Sequence, residues 1–417
     1  MTSGQGPRPG AEVVTGIDVA AVGRIAELLE RRPRFAQKLF SPEEVEYCAG
    51  RPERFAARWA AKEAVRKVHG SLGLPLPAFP QISVRHRRGG APEALVGGRP
   101  VPGLEISLSH DAGVAVAVAV MAAGPPPLPL PEGVVLPPRP SSGHKGTFGT
   151  VLVVAGSPQF PGAAVLACRG ALRGGAGKVR CIVAPERPET GFPAEVIRVP
   201  VTADSGAYSA MVLAERLKEA RGEVVVVGPG LGDSAAVEDL VGAVFRGAGS
   251  GLVVDADALN AASRSAELRS LLPAGSVLTP HPLEAARLLG TTAAEVQADR
   301  TAAAQALASR LAAVVVLKGA GSVVAEPGGR VWTDPHATPA LAIGGAGDVL
   351  AGLIGALLAQ GSSPGDAARA GVFLHAAAGT RLAVRRGRSG LLASEVADEL
   401  VETQEGARVW LEAHARS

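Results

Sequence analysis

A proline-rich stretch at residues 122–142, AAGPPPLPLPEGVVLPPRPSS, constrains the fold of this chain more than any other feature. Proline fixes φ and lacks an N–H donor, so this density excludes helix and interior strand and favours an extended, semi-rigid spacer. A long loop within one domain is the weaker interpretation, because loops of that length are uncommon in compact folds. We therefore expect a domain boundary here, with a linker over 123–141.

The linker divides the 417 residues into two unequal parts. We predict a disordered N-terminus over 1–10, a small α+β domain over 11–122, a larger α/β domain over 142–402 and a C-terminal tail over 403–417. A hydrophobic content of 47% is enough to bury cores of that size.

Composition excludes several classes of protein. The net charge of +3 is too small to indicate a nucleic-acid partner, and the basic cluster at 85–88 is either a solvated face or a site for an acidic partner. The three cysteines, none in a C-x-x-C pattern, suit a reducing compartment without a thiolate metal site. The N-terminus lacks the apolar region of a signal peptide, and the apolar run Gly113–Met121 is too short to span a bilayer. We expect a cytoplasmic protein with no membrane partner.

Upstream of the linker, the pattern indicates a strand, helices and then a pair of strands. Ser41 and Glu44 have the spacing of a capping box at a helix start. A second helix is predicted from about Glu53 to His69. The alternation from Gly103 to Met121 predicts two strands with Ser109-His110-Asp111 as their turn.

Downstream of the linker, strands and helices alternate, which predicts a mostly parallel sheet with helices on both faces. In such sheets the ligand site lies beyond the carboxyl ends of the strands. The loops that follow the predicted strands carry five distinctive sequences: GPGLG (228–232), DADALN (255–260), TPHPLE (279–284), KGAGS (318–322) and GGAGD (344–348).

The GGAGD sequence, which precedes an apolar helix, carries the chemistry. Glycines before a helix let backbone N–H groups approach a phosphate, and the helix N-terminus adds positive potential. In the same turn, the carboxylate of Asp348 is placed to take a proton from a substrate hydroxyl as phosphoryl transfer begins. The alternative is that Asp348 only caps its helix. The four other loops favour the catalytic interpretation.

GGAGD before a helix resembles the ribokinase-like superfamily, and further motifs narrow the resemblance. HKGTFG (144–149), the helix start Gly162-Ala163-Ala164 and the other four loops occur in a characteristic order. Together they resemble the bacterial ADP-dependent NAD(P)H-hydrate dehydratases over about residues 142–402. The resemblance implies a ribokinase-like fold and repair of the S-epimers of hydrated NADH and NADPH (NADHX and NADPHX).

The same resemblance implies roles for individual residues. Asp348 is the expected catalytic base, and ADP or ATP is the expected phosphate donor. The nucleotide would be held by Lys318, Gly319, Ala320, Gly321, Ser322 and Gly347. The hydrate would contact Ala164, Gly230, His281 and Asp348. His281 could instead satisfy a turn, and Lys318 could be a surface charge at a strand end.

This chain departs from the family pattern just before its glycines. The family usually has Gly-Asn-Pro-Gly-Met-Ala-Thr where this chain has Ala337-Thr338-Pro339-Ala340-Leu341-Ala342-Ile343. Leu283 stands where Gly is expected, and Ala346 stands where Thr or Ser is usual. We expect these changes to alter loop shape or substrate contact while leaving the base intact.

In the N-terminal part, Asp18 and Glu63 are the candidate metal ligands. Mg²⁺ prefers one or two carboxylates together with phosphate oxygens and water. The alternative for Glu63 is an ion pair with Lys67, four residues further along the helix. Neighbouring motifs favour the metal site: GID (16–18), RI (24–25), FSPEE (40–44), RWAAKEAVRK (58–67) and SLSHD (107–111).

The order of these motifs resembles that of holo-acyl-carrier-protein synthases. These phosphopantetheinyl transferases move 4'-phosphopantetheine from coenzyme A to a serine of acyl carrier protein. The resemblance implies that Asp18 and Glu63 bind Mg²⁺, with Glu63 also catalytic. It further implies that Lys67 and His110 contact coenzyme A and that Arg24 faces the carrier protein. A plain turn residue is the alternative for His110.

Three other functions compete with this interpretation. The C-terminal domain could be a ribokinase-like small-molecule kinase, although HKGTFG and TPHPLE argue against it. The N-terminal domain could be a module that only docks carrier protein, although intact Asp18 and Glu63 favour catalysis. The altered loop at 337–343 could leave a nucleotide-binding sensor without turnover. Both families tend to form homo-oligomers, so we expect one here.

Overall fold

The computed structural model describes residues 13–414 except 88, 102, 123, 124, 126, 184–190, 201–209, 221 and 250. The N-terminus predicted to be disordered, 1–10, lies outside the described residues. The chain forms two compact units: unit 1 extends to Pro129 and includes residues from Glu405, and unit 2 is Leu130–Gln404. No helix among the described residues is long and apolar enough to cross a membrane.

Unit 1 contains two small antiparallel sheets and one long central helix. Its elements are β1 (Val13–Ala21), α1 (Val22–Arg31), α2 (Phe35–Leu39), α3 (Pro42–Cys48), α4 (Pro52–Ser71), a 3-10 helix (Phe79–Gln81), β2 (Ile82–His86), β3 (Pro92–Val96), β4 (Arg99–Pro100), β5 (Leu104–Asp111) and β6 (Val114–Ala122). The sheet orders are β1-β6-β5 and β2-β3-β4. The small side chains of α4 form much of the core, which confirms the predicted α+β class.

The turn between β5 and β6 differs from the prediction. His110 pairs with Ala115 within the sheet, so Ser109-His110-Asp111 is strand rather than turn. Ala112 and Gly113 form the turn, with φ values of 47° and 80°. Two left-handed residues match the right-handed twist of a tight hairpin, and the Asp111 carboxylate supports it by accepting from the Ala112 N–H at 2.8 Å. The alternative of His110 as a plain turn residue is therefore excluded.

The predicted capping box at the start of α3 is confirmed, and it is joined to a buried ion pair. Ser41 caps α3, and its N–H donates to Glu44 Oε2 at 2.8 Å. The same oxygen lies 2.9 Å from Lys62 Nζ, and both side chains are almost fully buried. Lys62 also donates to the carbonyl oxygens of Leu39 at 2.7 Å and Phe79 at 3.3 Å. This ammonium group is thus fully used in holding α2, α3 and α4 together.

Unit 2 is built on one large sheet. Its elements are β7 (Thr150–Val154), α5 (Pro161–Arg173), β8 (Lys178–Val183), β9 (Val196–Pro200), α6 (Ala210–Glu219), β10 (Val224–Val227), α7 (Ala235–Gly247), β11 (Leu252–Val254), α8 (Ala256–Arg264), α9 (Ala266–Leu271), β12 (Val277–Leu278), α10 (Pro282–Leu289), α11 (Ala293–Ala298), α12 (Arg300–Leu311), β13 (Val314–Leu317), β14 (Val323–Ala325), β15 (Val331–Thr333), a 3-10 helix (Pro339–Leu341), α13 (Ala346–Ala359), α14 (Pro364–Arg386) and the first part of α15 (Ala393–His414). The residues of α15 from Glu405 belong to unit 1.

The nine-stranded sheet has the order β15-β14-β13-β12-β11-β10-β7-β8-β9. Neighbours from β13 to β9 are parallel, whereas β14 and β15 add antiparallel strands at one edge. Helices α7, α8, α10 and α12 cover one face, and α5, α13 and α14 pack on the other. The predicted mostly parallel sheet with helices on both faces is confirmed.

Helices α5 and α13 lie in close contact on one face of the sheet. A Cβ at Gly170 would be 2.2 Å from the Val349 carbonyl oxygen, and a Cβ at Gly352 would be 2.0 Å from that of Ala167. Only glycine permits backbones to approach so closely. Helix α5 follows β7, and α13 follows β15, which runs in the same direction as β13 because two antiparallel pairings separate them. The N-termini of both helices therefore lie at the carboxyl ends of the parallel strands.

Part of the predicted linker packs against unit 2. Val134 and Leu136 are buried, and the Gly133 carbonyl oxygen accepts from Arg369 Nε at 2.8 Å. Arg369 itself is buried and pairs with Glu326 and Asp366. These residues therefore anchor the second half of the proline-rich stretch. At the other terminus, residues 403–414 of the predicted tail continue α15.

Candidate functional site

The carboxyl ends of β7 and β10–β13 lie along one edge of the sheet and carry the loops predicted to be functional. Gly230 lies against the start of α5, since a Cβ at Gly230 would be 2.7 Å from the Cβ of Ala163, the residue before Ala164. Ala164 itself is only 1% exposed, so its contact with the hydrate stays a prediction. The structure thus brings these two predicted hydrate-binding residues to the same end of the sheet.

Asp348 lies in the first turn of α13, as the sequence predicts. The turn before it needs glycine: Gly345 has φ 87°, and a Cβ there would be 2.3 Å from Leu166 Cδ1. No side chain caps the N-terminus of α13, so the first backbone N–H groups remain directed outward, where an anion can approach. Asp348 does not cap the helix, which removes the alternative interpretation of its carboxylate.

Lys318 projects into the same place from the end of β13. Its Nζ lies 2.6 Å from Asp255 Oδ1 and 4.0 Å from Glu284 Oε2. A Cβ at Gly347 would be 3.3 Å from Lys318 Nζ, so the ammonium group borders the first turn of α13. Lys318 therefore belongs to the site and is not an isolated surface charge.

Asp255 is held from two sides. Its side chain is 1% exposed, and its Oδ1 accepts from Thr279 Oγ1 at 2.8 Å as well as from Lys318. Thr279 is fully buried at the end of β12. The sequence predicts that the loops containing Asp255, Thr279 and Glu284 are functional, but it does not single out these three residues. The sequence contained a signal for these residues, because each follows a predicted strand of the same parallel sheet, as Lys318 does.

His281 caps α10 instead of pointing freely into the site. Its Nδ1 accepts from the N–H groups of Leu283 and Glu284 at 3.1 and 3.3 Å, and Glu284 Oε2 accepts from the His281 N–H at 2.7 Å. His281 is still 46% exposed at its side chain, with Nε2 3.3 Å from Glu284 Oε1. The turn role is therefore present, and contact with the hydrate stays a prediction.

The electrostatics of this cluster are strongly perturbed. Burial, together with the neighbouring Asp255, raises the pKa of Asp348 to about 7. Burial also raises the pKa of Glu284 to about 7. Burial lowers the pKa of Lys318, but Asp255 and Glu284 outweigh this effect and hold it above its usual value. A carboxylate with a pKa near neutrality is suited to accept and release a proton at physiological pH.

The KGAGS loop forms the adjoining part of the edge. Gly319 has φ 145°, and Ser322 Oγ donates to the Gly319 carbonyl oxygen at 3.0 Å, so the loop closes on itself. The Gly321 N–H donates to the His336 carbonyl oxygen at 3.1 Å, which joins this loop to the segment before the altered residues. The loop is partly exposed, as a phosphate-binding loop must be.

The altered segment 337–343 forms a short 3-10 helix and one wall of a groove. Leu341 packs against α14, where a Cβ at Gly379 would be 2.7 Å from Leu341 Cδ2. The groove has a volume of about 630 Å³ and lies between residues 335–339 and the end of α14, including Thr380 and Arg388. Ala340 is buried, whereas Ala337, Pro339 and Ala342 are exposed, so the effect of the substitutions on substrate contact stays a prediction.

In unit 1, the two candidate metal ligands are each paired with a cation. Lys67 Nζ lies 2.8 Å from Asp18 Oδ1 and donates to the Ile17 carbonyl oxygen at 2.6 Å. Glu63 pairs with Arg66 at 3.5 Å, so the alternative Glu63–Lys67 pair does not form in this structure. No group of three or more metal-ligating side chains occurs among the residues described.

His110 lies on β5 and lines a second cavity of about 630 Å³. Arg51 and Arg54, at the start of α4, line the same cavity. Glu53 lines this cavity as well, so two arginines and a histidine share it with one carboxylate. Because the arginines outnumber the carboxylate, the cavity suits a phosphorylated ligand. Arg24 is exposed on α1, away from the core, as a residue that faces a protein partner would be.

The sheet order and the glycine-rich turn before α13 define unit 2 as a ribokinase-like α/β fold. The sequence profile of the family described as NAD(P)H-hydrate dehydratase matches residues 151–402. The chain belongs to this family. In addition, the profile of the 4'-phosphopantetheinyl transferase superfamily matches residues 15–119, which lie in unit 1.

Individual relatives agree with this assignment. An ADP-dependent (S)-NAD(P)H-hydrate dehydratase of Neisseria meningitidis serogroup B is 44% identical over 62% of this chain and 86% of its own length. A bifunctional NAD(P)H-hydrate repair enzyme Nnr of Moorella thermoacetica is 43% identical over 64% of this chain and 51% of its own length. The chain thus spans about half the length of the first curated relatives it matches.

A solved structure supports the fold of unit 2. The ADP/ATP-dependent NAD(P)H-hydrate dehydratase of Bacillus subtilis, crystallised with ATP and Mg²⁺, is 32% identical and has a TM-score of 0.53. The match covers 65% of this chain and 94% of that structure.

Proposed function

We propose that unit 2 catalyses the ADP-dependent dehydration of the S-epimers of NADHX and NADPHX to NADH and NADPH. The observation that carries this proposal is the position of Asp348, whose carboxylate has a pKa of about 7 at the open N-terminus of α13, beside Lys318. The Neisseria relative named for this activity, which this chain covers over 86% of its length, supports the choice of substrate and nucleotide.

The reaction depends on the conversion of a poor leaving group into a good one. Hydroxide at C6 of the hydrated ring leaves poorly, whereas phosphate leaves well. Asp348 takes the proton of the C6 hydroxyl, and the oxygen attacks the terminal phosphorus of ADP as the bond to the departing AMP breaks. The lone pair of the ring nitrogen then expels phosphate from C6, and loss of a proton from C5 restores the reduced coenzyme. The products are NAD(P)H, AMP and phosphate.

Residues around Asp348 would contact the phosphates of the nucleotide and the ring of the hydrate. The first N–H groups of α13 and the ammonium group of Lys318 stabilise charge on the transferred phosphoryl group. The loop from Gly319 to Ser322, with Gly347, holds the nucleotide. The edge formed by Ala164, Gly230 and His281 contacts the hydrate.

We propose that unit 1 transfers 4'-phosphopantetheine from coenzyme A to a serine of acyl carrier protein. Support comes from the superfamily match and from the donor chemistry, since Asp18 and Glu63 offer the carboxylate oxygens that Mg²⁺ prefers. The bound Mg²⁺ would neutralise charge on the pyrophosphate of coenzyme A. His110, with Arg51 and Arg54, would hold phosphates of coenzyme A in the cavity that these residues line. Lys67 would leave its ion pair with Asp18 and bind a phosphate of coenzyme A. Arg24 would meet the acidic carrier protein, and the assembly would be a homo-oligomer in the cytoplasm.

Product analysis tests the function of unit 2. Phosphorus NMR of the full chain with NADHX and ADP should show AMP and phosphate appearing together, in step with reduced nicotinamide. Asp348→Asn should abolish all three signals, whereas Asp239→Asn, at an exposed position of α7, should not. A stable phosphorylated hydrate without phosphate release would replace the dehydratase by a kinase.

Mass spectrometry tests the function of unit 1. Apo-acyl carrier protein incubated with coenzyme A, Mg²⁺ and the full chain should gain the mass of one phosphopantetheine. Glu63→Gln should prevent the gain, and Glu105→Gln, on an exposed strand position, should leave it intact. Carrier protein that binds the chain but gains no mass would indicate a docking module.

A further inference from the structure

The Asp255 carboxylate is buried next to the proposed catalytic centre, yet the mechanism above gives it no task. It accepts two hydrogen bonds on one oxygen, from Thr279 Oγ1 at 2.8 Å and from Lys318 Nζ at 2.6 Å. Its other oxygen, Oδ2, would be 3.9 Å from a Cβ at Gly347, in the first turn of α13. Asp255 therefore connects β12, β13 and the N-terminus of α13 at a single point.

Lys318 depends on this contact for its position. A lysine side chain has many accessible rotamers, so an ammonium group without a fixed partner samples many positions. Glu284 Oε2 is 4.0 Å away, beyond hydrogen-bond distance, and Asp255 provides the one short contact recorded for Lys318 Nζ among the described residues. Thr279 in turn fixes Asp255, because its hydroxyl is buried and donates to the same oxygen.

We propose that Asp255 and Thr279 are positioning residues that hold the ammonium group of Lys318 against Gly347, so that it faces the phosphate acted on by Asp348. This inference rests on the proposed function for its phosphate ligand. It assigns Asp255 and Thr279 no contact with the substrate, since they act through Lys318.

A double-mutant cycle on Thr279 and Lys318 tests this inference without requiring turnover. Calorimetry measures the affinity of the full chain for ADP in Thr279→Val, Thr279→Ser, Lys318→Met and the Thr279→Val/Lys318→Met pair. Thr279→Val removes a hydroxyl without changing charge or shape much, and it should weaken ADP binding about tenfold, the equivalent of one lost hydrogen bond to a charged group. Thr279→Ser keeps the hydroxyl and should remain within about twofold of the parent chain.

The decisive result is the double variant. If Thr279 acts only through Lys318, Thr279→Val should have no further effect once Lys318→Met is present. Equal weakening with and without Lys318 would overturn the inference, as would full ADP affinity in Thr279→Val. Thermal unfolding of each variant separates loss of the site from loss of the fold.

Asp255→Asn provides a second, independent measurement. It should weaken ADP binding at least as much as Thr279→Val and also lower kcat, because Lys318 then loses the charged partner that holds it against the phosphate. A raised Mg²⁺ requirement in Asp255→Asn, absent from Thr279→Val and Lys318→Met, would make Asp255 a metal ligand and overturn the inference. If the parent chain binds ADP but never restores NADH from NADHX, the proposed function fails, while the cycle on ADP affinity still decides the positioning role.

Discussion

Two buried lysine–carboxylate pairs, one in each unit, look alike in distance but differ in what surrounds them. Lys62 in unit 1 contacts Glu44 at 2.9 Å and also donates to two carbonyl oxygens. Lys318 in unit 2 contacts Asp255 at 2.6 Å, but Glu284 and Asp348 add negative charge around it. Burial lowers the pKa of Lys62, whereas the carboxylates hold the pKa of Lys318 above its usual value.

The difference separates a structural ion pair from a functional one. The side chain of Lys62 is fully buried, and its three donors have three partners. Lys318 is 19% exposed and lies at an open helix N-terminus, where a phosphate can approach. A buried charge that is fully satisfied specifies packing, while one with donors left for a ligand can do chemistry.

The largest effect should come from breaking the structural pair. Lys62→Met leaves the Glu44 carboxylate buried without its cation, which should cost about 3–5 kcal/mol of unfolding free energy. Urea unfolding followed by Trp59 fluorescence measures this loss in unit 1. Lys38→Met, the same change at an exposed position, should cost almost nothing. A loss below about 1 kcal/mol in Lys62→Met would contradict the structural role.

The second effect concerns turnover rather than stability. Lys318→Met should lower kcat for NADHX about 100-fold, as removal of one charge-stabilising donor commonly does. Its loss of unfolding free energy should be smaller than that of Lys62→Met, since the remaining carboxylates can take up a proton from solvent. Lys178→Met is the control, because Lys178 is exposed at the opposite edge of the sheet. Turnover unchanged by Lys318→Met would remove the distinction between the two lysines.

The pH dependence of turnover sharpens the comparison further. If Asp348 must be ionised, kcat/KM should rise with pH and level off above its pKa of about 7. The negative charge of Asp255 raises this pKa and the positive charge of Lys318 lowers it. Asp255→Asn should therefore shift the acid limb to lower pH by about one unit, and Lys318→Met should shift it to higher pH. Asp257 also raises this pKa and stays unchanged in both variants. If the acid limbs of the Asp255→Asn and Lys318→Met profiles moved in the same direction, the proposed opposite effects of these two charges on Asp348 would be contradicted.

The smallest effect is a gain in stability. The pKa of Asp348 is about 7 in the folded chain, above the ordinary value of 3.8. The protonated form therefore stabilises the fold at low pH, and this contribution is lost as pH rises through about 7. Asp348→Asn should raise the unfolding free energy of unit 2 by about 1–2 kcal/mol at about pH 8, and the gain should vanish near pH 4. Thermal unfolding at both pH values measures it; an equal gain at both would exclude charge as the cause.

Much of unit 2 could be predicted from the sequence because its strands are short, apolar and separated by glycine-rich loops. The start of α13 and the shared direction of β7, β10, β11, β12 and β13 follow from that alternation, whereas β8, β9 and the order of the strands were not predicted. The edge strands β14 and β15 were not predicted, because no helix lies between antiparallel neighbours and the alternation of strand and helix is therefore missing there. Val134 and Leu136 are buried, and the preceding Gly133 accepts a hydrogen bond from Arg369, which lies far along the chain. Local composition could not indicate such contacts and predicted only a spacer.

Prediction of the site from the sequence was limited in the same way. The rule that ligands bind at the carboxyl ends of parallel strands identified the loops of Lys318 and His281. It could not reveal that Asp255 and Thr279 share one hydrogen-bonded cluster, because that depends on the register of β11, β12 and β13. In unit 1, the turn beside His110 was misplaced by two residues because alanine at positive φ is unusual.

The most direct test of the central claim is the absorbance of reduced nicotinamide when the full chain meets NADHX. Recovery of NADH that requires ADP or ATP, and that disappears in Asp348→Ala while ADP binding persists, is the predicted result. Asp239→Ala should recover NADH at the parent rate. No recovery with either nucleotide, from a chain that binds ADP, would contradict the repair function.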